Sequence, residues 1–133
     1  MRYFNLLLLA LVAIACDEQE VVNNNKESAQ YFKPIFGFEL DPTFTNVSAY
    51  QYEGMDPEVL IQCNFKNIDK ILDFLLHNNY KRTTELIEYP NSSPQWWSLP
   101  SGNMQNYFTK IGKEEKTQIW VSSNQLNGHY FTW

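Results

Sequence analysis

Residues 67–79 (NIDKILDFLLHNN) hold the one clear helical period in a chain whose other apolar runs mostly alternate, and this asymmetry narrows the folds open to it. Ile68, Ile71, Leu72, Leu75 and Leu76 recur at i, i+3, i+4, i+7 and i+8, which is a single apolar face, while Asp69, Lys70 and Asp73 point away. Asn67 is a good N-cap, Asp69 suits the positive end of the helix dipole, and Asn78 or Asn79 can take the left-handed conformation at the other end. A helix of this length is marginal alone in water, so its apolar face needs a sheet to bury against.

Period-two patterning supplies the sheet. Residues 31–40 (YFKPIFGFEL) put Phe36, Phe38 and Leu40 on one strand face, closed by Asp41-Pro42. Residues 46–52 and 58–65 give a second and a third strand, joined as a hairpin by the turn-like run 53–57. Residues 81–89 read as a fourth strand through β-branched Thr83, Thr84 and Ile87, and 105–111, 116–123 and 129–133 as three closing strands. Gly112 to Glu115 turn the first closing pair, and Asn127-Gly128 is the favoured dipeptide of a type I′ hairpin. That turn would put Trp120 on the face of Phe131 and Trp133, with Ile119 and Val121 on the other. Either both faces are covered or a longer loop over 122–128 breaks the register, and the longer loop is the arrangement expected. Three strands, one helix and four strands, with no alternation of the two, give an α+β domain. It should be a mostly antiparallel sheet of about six to seven strands, with the 67–79 helix packed on one face. An aromatic content of 16% fits a small core that relies on large rings for buried area.

The chain begins with Met1 to Asn5, the unbroken apolar run Leu6 to Ile14, and then Ala15-Cys16-Asp17. One cationic side chain, a short apolar stretch and a small residue at the cut make the layout of a secretory signal. A permanent membrane span needs ~20 apolar residues, and this run is too short. Ala13-Ile14-Ala15-Cys16 resembles the lipobox of bacterial lipoproteins, over the first sixteen residues only. The resemblance implies that residues 1–15 are a removed signal peptide and that Cys16 becomes the lipidated first residue. The partner it implies is a membrane, held through lipid, and the location a bacterial cell envelope. One acyl chain gives marginal binding and two or more hold stably, so the multiple acylation of this class suffices.

Residues 16–30 then read as the lipidated Cys and a flexible acidic tether, since DEQEVVNNNKESAQ offers only Val21-Val22 for burial. Residues 31–133 are expected to form a single globular α+β domain. The leader holds one cation, Arg2, and no acid, so the ten Lys and Arg of the chain fall to nine against fifteen Asp and Glu. With no cluster of Lys and Arg, nucleic acid is excluded as a partner.

Candidate chemistry is sparse. If Cys16 carries lipid, Cys63 has no disulfide partner; it alternates with Val59, Ile61 and Phe65 on one strand face, which reads as a small buried hydrophobe. A nucleophilic Cys63 would need a base, and only His77 and His129 are present. Two His and one Cys without short spacing give no metal site, and no phosphate loop, cofactor motif or Gly-x-Ser-x-Gly occurs. No catalytic residue and no cofactor are therefore assigned. Trp96 and Trp97 stand out within the Pro- and Ser-rich loop 90–103. Exposed, they would stack on a sugar ring or anchor a protein; folded over an open sheet face, they would plug the core; and as neighbours in extended chain they can do one each. The function expected is a lipid-anchored, non-enzymatic envelope module that binds a protein or a glycan. The alternatives are a small envelope hydrolase with an unrecognised site, or a lipidated inhibitor or immunity protein whose acidic balance answers a basic enzyme.

Overall fold

The structure, a computed structural model, describes residues 17–85, 87–98 and 106–133; Cys16 and the run before it, on which the signal-peptide reading falls, lie outside the described residues. The strands are β1 (Asp17–Val21), β2 (Thr45–Glu53), β3 (Glu58–Asn64), β4 (Lys81–Arg82), β5 (Tyr107–Ile111), β6 (Glu115–Val121) and β7 (Gln125–Thr132). All pair antiparallel in one seven-stranded sheet of order β1-β2-β3-β7-β6-β5-β4, which makes the fold α+β as expected.

Helix α2 (Ile68–His77) starts at Asn67, whose side chain accepts from the Lys70 N–H at 3.1 Å. It ends before Asn79, which takes the left-handed conformation at φ +65°. Ile71 and Leu75 on its inner face join a core with Val59, Ile61 and Cys63 of β3 and Ile119 and Val121 of β6.

A second helical segment covers the same core where the sequence suggested a tether and a strand. Helix α1 (Asn25–Tyr31) runs into a π-helical turn (Phe32–Phe36) that stops at Gly37, φ +80°, whose N–H reaches both the Phe32 and Lys33 carbonyls at 3.1 Å. Pro34 has no N–H to return to the preceding turn, which accounts for the widening. The spacing of Phe36, Phe38 and Leu40 suits a strand, but Phe32 and Phe36 are also one helical turn apart, and both are buried.

The segment 17–30 is likewise built into the domain. Residues 17–21 pair with β2, and Asn23, Asn24 and Asn25, one polar run by composition, do three separate things. Asn23 makes a left-handed turn at φ +50° and Asn24 caps α1 by accepting from the Glu27 N–H at 3.2 Å. Asn25 straps α1 to β2, donating to the Phe44 carbonyl at 2.9 Å and accepting from the Val47 N–H at 3.3 Å.

The last hairpin also departs from expectation. Asn127-Gly128 is not a turn and no long loop covers 122–128: the turn is at Ser122–Gln125, closed by the Ser122 N–H on the Gln125 carbonyl at 2.8 Å. Gly128 sits mid-strand between Ile61 and Ile119, where a Cβ would lie 2.6 Å from Ile61 Cγ1 and 2.8 Å from Phe36 Cε1. Glycine is there for close approach. Both sheet faces are covered instead. Ile119, Val121 and Leu126 face the helices, while Tyr50, Leu60, Tyr107 and Trp120 face a second small core under the 83–98 segment.

Candidate functional site

The second face is where chemistry collects, because its cover is a loop and its strand side chains are mixed. Of the expected fourth strand only Lys81–Arg82 pairs with β5. Beyond Arg82 the chain crosses the sheet, pinned through its backbone by a fully buried side chain. Gln118 of β6 donates to the Glu88 carbonyl at 2.8 Å, accepts from the Glu88 N–H at 3.1 Å, and accepts from the Tyr107 hydroxyl at 2.7 Å. A Gln can serve both backbone groups of one residue, so Gln118 acts as a piece of strand for a segment that has none.

Trp97 completes the plug. It is 6% exposed, packed edge-on to Trp120 at 6.0 Å, and Trp120 stacks on Tyr107 at 5.5 Å. Trp96, half-buried, donates its Nε1 proton to Glu20 of β1 at 2.6 Å. The two neighbours thus point to different partners, and both hold the cover down. Ser92 does the same at the other end of the loop, accepting from the Tyr50 hydroxyl at 3.1 Å.

Beside this plug lies a cleft of about 440 Å³ lined by Asp56, Glu58, Glu88, Tyr89, Asn91, His129, Phe131, Thr132 and Trp133. Glu58 of β3 forms its floor at 3% exposure. Its carboxylate accepts from the Asn91 N–H at 3.1 and 3.2 Å and from the Asn91 side-chain amide at 2.9 Å. These are the bonds that an anion removed from water needs.

His129 of β7 is 1% exposed beside it, between Trp97 at 6.3 Å and Phe131 at 4.7 Å. Its Nδ1 lies 3.1 Å from the Glu88 carbonyl and 3.2 Å from the Gln118 amide nitrogen. Its Nε2 makes no hydrogen bond among the described residues and stands 3.9 Å from Glu58 Oε1. That gap exceeds direct hydrogen-bond range but keeps the pair within charge range. The Glu88 carbonyl only accepts and the Gln118 amide nitrogen only donates, so Nδ1 serves one or the other according to the tautomer: with the ring proton on Nδ1 it is given to Glu88 and Nε2 carries a lone pair, and with the proton on Nε2 that nitrogen points a donor toward Glu58. Glu88 itself pairs with Lys116 at 2.8 Å, a lysine drawn in by its buried stem and fixed at the loop's edge.

The cleft therefore joins three aromatic rings, Tyr89, Phe131 and Trp133, to three carboxylates, with one buried imidazole. Sequence reasoning weighs His129 only as a base for Cys63 or a metal ligand and counts Glu58 only among many acids, assigning neither to a site; both take their place from the alternation of strands whose other face reads as core. The available signal was Leu60, the apolar residue that breaks polar alternation between Glu58 and Gln62 and marks a second covered face. His77 is exposed on α2, its Nδ1 2.7 Å from the Asp73 carbonyl, far in sequence and element from this site. Cys63 is buried on the helix side, its thiol pushed up to about 12 by burial, which makes it an inert hydrophobe rather than a nucleophile. Among the described residues no three His, Cys, Asp or Glu side chains converge to hold a metal ion. Comparison with known proteins finds no counterpart, since no family model, no curated protein and no solved structure matches the chain.

Proposed function

We propose that this chain is a lipid-anchored, non-enzymatic binding module of a bacterial cell envelope, held to a membrane through Cys16 and taking a glycan in the Glu58–His129 cleft. The lipobox-like run Ala13 to Cys16 supports the anchor. The observation that carries the ligand class is the cleft lining, in which Tyr89, Phe131 and Trp133 stand beside Asp56, Glu58 and Glu88. Flat rings cover the C–H faces of a sugar while carboxylates accept from its hydroxyls, and convergent polar groups in an aromatic cleft are the usual form of a small-ligand site. Trp96 and Trp97, the rings first suspected, contribute by holding the loop that forms one wall.

Calorimetric titration with soluble fragments of digested cell-wall glycan tests the reading. Wild-type protein should bind, and Tyr89→Ala, at a ring 72% exposed, should weaken binding about three- to tenfold, the worth of one aromatic contact. Absence of heat with every fragment would remove the glycan reading. For the anchor, Cys16→Ser should leave the membrane fraction and lose acyl mass. The bare Nε2 of His129 facing Glu58 favours a second reading, a small hydrolase using an acid–base pair. Under that reading wild-type protein releases reducing ends from the same glycan and His129→Gln does not.

A further inference from the structure

We infer that the protein has no spacer between lipid and fold, and that the end of the sheet carrying Met55, Ile111 and Trp133 lies on the bilayer surface. The inference rests on the anchor proposed at Cys16. Consecutive Cα atoms are 3.8 Å apart, so an acyl chain on residue 16 departs one peptide bond from Asp17, and Asp17 is already paired with Glu53 in the sheet.

The registers say which end of the domain that is. Asp17 stands opposite Glu53, Tyr52 opposite Glu58, Glu58 opposite Phe131, Thr132 opposite Glu115, and Lys116 opposite Ile111. The turn 54–57, the turn 112–114 and Trp133 therefore share the edge from which the anchor leaves. Six large apolar side chains are exposed among the described residues, and three of them, Met55 at 99%, Ile111 at 60% and Trp133 at 62%, are on this edge. A fourth, Tyr89, lines the same cleft as Trp133. Trp is the side chain that settles at the membrane–water boundary, with its apolar body in and its N–H wet. The occupant is a lipid surface rather than a protein, because the anchor already brings bilayer to this edge. On the same edge Glu53, Asp56 and Glu114 outnumber Lys113 and oppose anionic lipid, so the contact is apolar and suits zwitterionic headgroups. The cleft, which Asp56 and Trp133 help to line, then opens beside the headgroups.

The test uses the full lipoprotein, purified from bacterial membranes and reconstituted in vesicles of phosphatidylethanolamine and brominated phosphatidylcholine. Mass spectrometry reads the acyl chains independently. Bromine should quench a component of the tryptophan emission that is missing in Trp133→Phe, and Met55→Asp with Ile111→Asp should cut that quenching at least twofold. Both positions are solvent-exposed, so the circular dichroism of the double variant should match wild type. Replacing part of the zwitterionic lipid by phosphatidylglycerol should reduce the quenching. Acylated protein that shows no Trp133 quenching overturns this inference and leaves the anchor standing. Protein without acyl mass overturns the anchor, and the inference with it.

Discussion

Gly128→Ala is a one-methyl perturbation that separates a mid-strand glycine from a turn glycine. The added Cβ would lie 2.6 Å from Ile61 Cγ1, 2.8 Å from Phe36 Cε1 and 3.0 Å from Ile61 Cδ1, where carbon contacts relax near ~3.5–4.0 Å. Ile61 and Phe36 are 0% and 1% exposed, so neither has water to move into, and the neighbours must give by about 1 Å inside a packed core. Overpacking of this kind costs about 1–3 kcal/mol. The narrower unfolded ensemble of Ala returns about 0.4–1 kcal/mol, leaving a net loss of about 1–2 kcal/mol. Unfolding entropy of ~2.1 cal/mol/K per residue makes ~0.25 kcal/mol/K for a domain this size, so Tm should fall by about 4–8 °C. Urea unfolding and a thermal melt by circular dichroism measure both quantities. The decisive arm is a cycle with Ile61→Ala, which vacates the space the methyl enters. In that background Gly128→Ala should be neutral or stabilising. An equal loss in both backgrounds, or no loss in the wild type, would refute the close-packed strand assignment.

Further measurements probe the rest of the molecule. Gln118→Leu strands the Tyr107 hydroxyl and the Glu88 N–H and leaves the Glu88 carbonyl only His129 Nδ1 at 3.1 Å, and should cost about 2–4 kcal/mol. In that variant the amides of the 83–98 segment should exchange with deuterium far ahead of the strands. Asn25→Ala removes two ties to β2 and should cost about 1–2 kcal/mol, read by urea titration. Burial pushes the Cys63 thiol and the Tyr107 phenol each up to about 12 from 9.0 and 10.0, so folding favours their neutral forms. Their contribution is whole below pH 9, and declines as pH rises toward 12; urea midpoints measured from pH 8 to 11.5 should fall, and Cys63→Ala should flatten the fall. At pH 8 the same thiol should resist a thiol reagent until denaturant is added.

Amphipathic helix α2, the hairpin of β2 and β3, the turn before β6 and the α+β class were legible because each is a local matter. A 3.6-residue period, an Asn cap and a short polar turn carry their own information. The errors fell where one stretch satisfies two local rules. Phe32, Phe36 and Phe38 fit a strand or a helix, and Asn127-Gly128 fits a turn or a crowded strand. The polar composition of 17–30 hid an edge strand and three Asn with separate hydrogen-bonding tasks.

What the residues alone determined is the alternation that builds the strands, the single strong helix, the lack of a basic surface, and the leader-like run ending at Cys16. Tertiary structure decided the site. Glu58 and His129 lie 71 positions apart in the sequence and meet only because β3 pairs with β7, and the cleft beside them exists because the 83–98 segment crosses the sheet on the amide of Gln118. Side-chain period tells which residues share a face of one strand; which strands lie side by side, and what covers them, depends on contacts between residues that no short stretch contains.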